Sequence, residues 1–295
     1  MFFKYAKFFM KAKYSIGLLT HNNLPRFREC ISHIPYNKKV PFVVVNDGTP
    51  YDISEYRDDM TVIQHSVNRK IARSKNDALQ YLLGFDTEWI FLMENDMKII
   101  DPKVFERYIE VANDSGLLHL NYDLHGRDNW NSDKSAPKPR LRYHDRGLAL
   151  YSYAGGCFQL FHRSLFEKIG FFDERYVNCW EHLDLTFRII LHGYHTPYWL
   201  SSDIIDSHTF IQQIDADLES TVSTESINSN YRTGLNYWNE KFGMWVGDIP
   251  DWINPEHHTD IVVEMLKEKR YEELSKIYID FYKKEGAPFF ENFNS

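Results

Sequence analysis

The sequence predicts an α/β protein, with a mostly parallel sheet flanked by helices and a helical C-terminal tail. Short apolar runs rich in β-branched residues recur along the first part of the chain, each closed by a turn or acidic residue. Segments with helical spacing alternate with them, and this alternation implies parallel pairing with helices on both faces. The composition can fill the core that such a fold needs: of 295 residues, 43% are hydrophobic and 26% charged, which is ordinary globular usage.

In chain order, Tyr14–Thr20 reads as a buried strand, and residues 25–34 as a helix entered through Asn22 or Asn23. Phe42–Asn46 is a β-branched run stopped by Asp47-Gly48, a turn signal. Residues 61–65 form a third short strand, 72–83 a helix, and 89–93 (WIFLM) another buried strand. Ligands of open α/β sheets sit beyond the carboxyl ends of the strands, so Thr20, Asp47, Asn68 and Glu94–Asp96 stand at the important places. Residues 123–147 are polar with little periodicity and read as a long loop, a functional or mobile element in a compact domain. Order returns at 151–161, followed by a helix at 163–169, the turn Gly170–Asp173 and a helix at 181–192 in which Asp184 can pair with Arg188. A short strand is expected at 202–205, a helix across 219–242, and one long or two short helices across 259–284.

Formal charge is −8, from 34 basic and 42 acidic residues. That balance argues against a nucleic-acid partner, since phosphate neutralisation requires surplus lysine and arginine. Cys30, Cys157 and Cys179 are too few and too widely spaced for a disulfide framework or a zinc site, and fit the reducing cytoplasm. No apolar run is long enough to span a bilayer. Residues 1–13 form a basic amphipathic helix with Lys4, Lys7 and Lys11 opposite Phe2, Phe3, Phe9 and Met10. It suits either packing on the following domain, the reading preferred by a narrow margin, or peripheral contact with an anionic membrane face.

Four constellations can carry chemistry. Glu94-Asn95-Asp96 places two carboxylates at a strand's carboxyl end, where oxygen ligands suit Mn²⁺ or Mg²⁺. Residues 68–76 combine a helix N-terminus with arginine and lysine, which favours phosphate, although a solvated charge run has the same look. Trp180-Glu181-His182-Leu183-Asp184 opens a helix with Glu181 and Asp184 on one face, suited to a general base or to capping the helix dipole. His208 follows the 202–205 strand and becomes a metal ligand only where it meets Asp96. Trp130, Trp180 and Trp199 are candidates for stacking on sugar faces, among aromatics that mostly serve a core.

The ordered set THNNLPRFRECI, VVVNDGT, NRKIARSKNDAL, WIFLMENDM, AGGCFQLFHRSLFEKIGFFDERY, WEHLDLTFRIILHGY and NYWNEKFG resembles glycosyltransferase family 2 and its relatives, the GT-A nucleotide-diphosphosugar transferases. Each motif is modest; order and spacing make the set specific. The resemblance implies a GT-A type, Rossmann-like domain over 14–243, with a nucleotide-binding half (14–121), an acceptor half (122–243) and a helical extension at 244–295. It implies that Thr20 and Asp47 line the nucleoside pocket, that Arg73 and Asn76 face the nucleotide, and that Glu94 approaches the ribose while Asp96 binds the metal. Gly155 and Gly156 match the small residues beside the donor and acceptor sugars, and His208 matches a late histidine ligand of some relatives. Two departures stand out. The first acid of the D-x-D motif is Glu94, and the usual Glu-Asp pair reads Glu181-His182, so the catalytic base is Glu181 or His182 and the stereochemical outcome stays open.

The implied activity is a metal-dependent glycosyltransferase of the hexosyltransferase type, moving a sugar from a UDP-sugar to a hydroxyl of a glycan or glycolipid, in surface polysaccharide synthesis of the bacterial type. Residues 125–146 are the expected acceptor-side lid. Two alternatives remain: a sugar-1-phosphate nucleotidyltransferase, disfavoured because Leu19-Thr20-His21-Asn22 lacks glycine, and a non-catalytic binding module, which the histidine at 182 keeps alive.

Overall fold

The computed structural model describes residues 12–122, 140–143, 145–151, 155–196, 200–214, 224–243 and 259–284. Its main sheet has six strands in the order β3-β2-β1-β4-β9-β6. Strands β1 (Tyr14–Thr20), β2 (Phe42–Asn46), β3 (Thr61–Gln64) and β4 (Trp89–Glu94) run parallel. Every residue of β2 is buried, as expected of a parallel strand covered on both faces. Helix α1 (Leu24–His33), capped by the Asn23 side chain on Arg26 N, connects β1 to β2, and α2 (Ile71–Leu82) connects β3 to β4.

The register aligns the strand ends. Leu19 pairs with both Val45 and Glu94, which brings Thr20, Asp47 and Glu94 to one edge. Strand β9 (Phe158–His162) is antiparallel to β4, with Phe158 beside Met93. Its approach segment therefore arrives at that same edge, and Glu94 N donates to Cys157 O at 2.8 Å. Strand β6 (His119–Asn121) pairs with β9, so one sheet draws strands from both halves of the domain.

Several elements were not among those expected. Helix α3 (Val104–Ser115) buries Val104, Phe105, Tyr108, Ile109 and Val111 against the sheet, and ends at Gly116 with φ 78°. Within the expected 123–147 loop, β7 (Arg140–Tyr143) and β8 (Arg146–Tyr151) form a hairpin that β10 (Ser201–Ile204) extends. The loop reading is corrected there, while residues 123–139 lie outside the described residues. Strand β7 escapes notice because it is a short edge strand with two arginines facing outward, the usual means of blunting a sheet edge. Strands β5 (Met97–Ile99) and β11 (Ile211–Gln213) form a two-stranded ladder beside the main sheet.

Helix α4 (Ser164–Ile169) leads through the turn at Gly170 to α5 (Glu181–Leu191). Helix α6 (Thr224–Phe242) lays Trp238 and Phe242 against Trp180 and Phe187. The contact is close: a Cβ on Gly234 would stand 2.2 Å from the Trp180 ring. The tail is two helices, α7 (Thr259–Lys267) and α8 (Tyr271–Lys284), divided at Lys269 with φ 58°. Leu266, Tyr271 and Leu274 join the main core, and Tyr271 OH donates to Ser115 O at 2.7 Å. No helix among the described residues is long and apolar enough to cross a membrane.

Two histidines lie in the core beneath α5. The His119 and His195 rings are 5.5 Å apart. Burial lowers both, His195 to about 4 from an ordinary 6.5. Between those values the unfolded chain binds a proton that the folded chain refuses, so stability falls as pH drops from 6.5 through 4. For His195 alone the span corresponds to about 3 kcal/mol. Urea unfolding at pH 7 and pH 4.5 is expected to show a steeper loss for the natural chain than for His195→Asn; equal losses would refute the assignment.

Candidate active site

A cleft of about 380 Å³ opens at the aligned strand ends, a size usual for small-molecule sites. From one wall come Thr20, His21, Asn23 and Arg26; from another Asp47, Asn68, Lys70, Ile71 and Ser74; from the floor Glu94, Asn95, Asp96, Gly156 and Cys157; and from α5 Glu181 and His182. Residues separated by more than a hundred positions thus meet because β1, β2 and β4 end together and α5 starts opposite.

Asp47 braces the wall formed by the β3–α2 loop. Its Oδ1 accepts Arg69 N at 2.6 Å and His65 Nδ1 at 2.7 Å, and its Oδ2 accepts Lys70 N at 2.8 Å. Asn68 Oδ1 accepts the same Lys70 N at 3.0 Å. Lys70 then enters α2 with φ 73° and ψ 164°, a backbone region used almost only by glycine. Trp180 enters α5 with φ 77°, an outlier for so bulky a side chain. Strained non-glycine residues thus precede both helices that face the cleft, and nothing in the sequence announces either. Thr20 Oγ1 accepts Asn95 Nδ2 at 2.8 Å and bonds Tyr51 OH at 3.0 Å, tying the end of β1 to the acidic tripeptide.

Beneath the floor lies the residue that sequence reasoning missed. Lys75 is fully buried, with its ammonium 3.0 Å from Glu181 Oε1, 3.1 Å from Glu94 Oε1 and 3.2 Å from Gly156 O. Burial opposes its charge, but the two carboxylates more than offset that and hold it protonated. Burial likewise works against the Glu181 carboxylate, yet Lys75 and His182 hold it well below the usual carboxylate range. Burial pushes Glu94 upward against the pull of Lys75. The signal for Lys75 was its spacing: Ala72, Lys75, Leu79 and Leu82 share one helix face, and that face is buried.

His182 Nδ1 lies 3.2 Å from Glu181 Oε1, and the ring packs against Gly156, where a Cβ would come within 3.1 Å of it. Two acidic oxygens of the cleft, Asp96 Oδ1 and Glu181 Oε2, are buried with no hydrogen-bond partner among the described residues. A buried carboxylate oxygen without a partner is costly, which marks both as places where a ligand or ion belongs. Among the described residues no group of three histidine, cysteine or acidic side chains could hold a metal. Asp96 alone fits a hard cation that keeps water and substrate oxygens as its other ligands.

Other expected residues are placed elsewhere. Arg73 turns along the outside of α2 to Asp77 at 3.0 Å and Glu174 at 3.2 Å. Asn76 clamps the Gly170–Asp173 turn through both Phe172 backbone groups at 3.0 Å, so neither residue lines the cleft. Trp180 is buried against α6, with Nε1 donating to Tyr231 O at 3.0 Å, and offers no face for a sugar. Asp184 is fully buried between Arg188 and Lys241, a packing role. Gly155 stands outside the lining and accepts Asn121 Nδ2 at 3.1 Å.

His208 does not meet Asp96. Asp96 O accepts Ile214 N at one end of the β5–β11 ladder, while exposed His208 lies past Phe210, which closes the other end by accepting Ile100 N. Trp130, Trp199 and most of the 125–146 segment lie outside the described residues.

No protein-family model matches the sequence, and no curated protein matches it either. Solved structures do. Residues 1–349 of TarS from S. aureus superpose with a TM-score of 0.52 at 13% identity, over 92% of this chain and 92% of that one. The chain has the GT-A fold. The mannosyltransferase PcManGT from Pyrobaculum calidifontis, in complex with GDP-Man and Mn²⁺, gives a TM-score of 0.52 at 15% identity over 97% of this chain and 81% of that one. TarS 1–349 in complex with UDP-GlcNAc gives 0.50 at 15% identity, over 88% and 73%. The six-stranded order with its one reversed strand is therefore a GT-A sheet, and the cleft stands at the carboxyl ends of its parallel strands.

Proposed function

We propose that this GT-A chain is a glycosyltransferase that moves a sugar from a nucleotide diphosphosugar, UDP-linked, to a hydroxyl of a glycan or glycolipid acceptor. The observation that carries this reading is a pair of buried carboxylate oxygens, Asp96 Oδ1 and Glu181 Oε2, that belong to one cleft and have no partner among the described residues. Donors of this class accompany the similar structures named above. Thr20, Asp47 and Asn68 form the nucleoside end, and the basic side chains Lys70 and Arg26 in the cleft lining meet the diphosphate with the start of α2.

Asp96 would hold Mn²⁺ or Mg²⁺, and the cation would supply charge neutralisation for the departing diphosphate. His182 is the base. Its Nδ1–H donates to Glu181 Oε1, an assignment of the tautomer from that contact, which makes Nε2 the proton acceptor for the acceptor hydroxyl. Glu181 is unsuited to that task because a carboxylate held so firmly ionised has little proton affinity. It orients His182 instead, while its Oε2 takes a hydroxyl hydrogen of a bound sugar.

Calorimetric titration with UDP and GDP, with and without Mn²⁺, followed by turnover of the matching sugar nucleotides, tests this reading. UDP is expected to bind at least about tenfold tighter with Mn²⁺, a coupling of roughly 1.4 kcal/mol, and Asp96→Asn is expected to remove the Mn²⁺ effect. Nucleotide binding without turnover of any donor would favour a binding module. Diphosphosugar made from a nucleoside triphosphate and a sugar phosphate would favour a nucleotidyltransferase.

A further inference from the structure

We propose that Lys75 is the positioning residue of this site: a buried ammonium that keeps Glu181 Oε1 aimed, so that His182 is held in its proton-accepting tautomer. The inference rests on the assignment of His182 as base. It begins from an unusual fact, a lysine with no exposure in a protein that could have placed a methionine there. Burying an ammonium is costly unless every donor finds an acceptor, and Lys75 has three: Glu181 Oε1, Glu94 Oε1 and Gly156 O.

These contacts come from α5, β4 and the segment before β9, so Lys75 joins the floor of the cleft to the wall that carries His182. The decisive detail is shared geometry. The Glu181 Oε1 that Lys75 touches at 3.0 Å is also the atom that His182 Nδ1 touches at 3.2 Å. Lys75 and the imidazole are thus joined through one carboxylate oxygen of Glu181. The titratable groups facing Glu181 are Lys75 from α2, Glu94 from β4, His182 beside it and the Cys179 thiol just before α5. His119 from β6 faces His182 from the core side.

Without the ammonium, two carboxylates are left together with no cation. Glu181 Oε1 loses the donor that aims it, so its hold on His182 Nδ1–H slackens and the ability of Nε2 to take the acceptor proton falls with it.

The test is a cycle of Lys75→Met, Glu181→Gln and the double variant. In the natural background Lys75→Met is expected to lower kcat at least about tenfold with little change in donor KM. The same change made on top of Glu181→Gln is expected to lower kcat less than about twofold, because the residue through which Lys75 acts is already gone. A lysine that merely supports the fold would lower kcat equally in both backgrounds, and that result would overturn the proposal. Imidazole ¹⁵N shifts of His182, assigned with His182→Gln, read the same cycle without turnover. Lys75→Met is expected to move the His182 ring-nitrogen shifts away from the Nδ1–H tautomer only when Glu181 is present; unchanged shifts, or an equal change without Glu181, overturn the proposal. This spectroscopic arm separates failure of the Lys75 role from failure of the glycosyltransferase reading, which would show as an absence of turnover in the natural chain.

Discussion

His182→Ala is expected to lower kcat for sugar transfer by about 10² to 10⁴, the usual range for removing a general base, while UDP affinity stays within about twofold. The separation follows from position. His182 lines the α5 wall of the cleft, opposite the β1 and β2 ends where the nucleoside is assigned. Glu181→Gln gives the complementary signature. It keeps the volume but presents an amide that no longer attracts an imidazolium, so kcat falls less than in His182→Ala. Steady-state kinetics separate the roles. A Glu181→Gln enzyme that is dead beside a His182→Ala enzyme that keeps a tenth of its rate would transfer the base to Glu181.

Much of the framework was legible because it depends on local pattern. Phe42–Asn46 is apolar throughout, and a strand covered on both faces must be. The cleft residues Thr20, Asp47, Glu94 and Asp96 were found because a parallel sheet exposes its ligand crevice at strand ends, which sequence can locate. What escaped notice depends on partners remote in sequence. Lys75 looked like part of a solvated charge run, since its meaning comes from Glu94 and Glu181, which approach from β4 and α5. Trp180 looked like a sugar platform until Gly234 on α6 claimed its face. His208 was a possible partner for Asp96 only while the β5–β11 ladder was unknown, because that ladder decides which end each residue occupies.

Asp184 makes the pair with Arg188 that its spacing predicts, while a tertiary partner, Lys241, takes it away from the cleft, and its removal carries a large expected stability effect. Its carboxylate is fully buried, accepting Arg188 Nε at 2.8 Å and Lys241 Nζ at 2.5 Å. Arg188 in turn donates to Ile169 O at 2.5 Å and Phe171 O at 2.7 Å, so one acid joins α5 to α6 and to the turn before Trp180. Removing one member of a buried ion pair generally costs about 3 to 5 kcal/mol, because the remaining charge is stranded. Here Lys241 keeps Asp173 at 3.0 Å and Arg188 keeps its two carbonyls. Asp184→Ala is therefore expected at the lower end, about 3 kcal/mol, read as a lower urea midpoint with an unchanged slope. Asp184→Asn, which keeps the volume and one acceptor, should lose less. In the cold, where both variants remain folded, UDP affinity is expected to match that of the natural chain. Unchanged stability with lost transfer would instead assign Asp184 to the chemistry of the cleft, because a side chain that neither anchors α6 nor holds the turn would have no other reason to silence transfer.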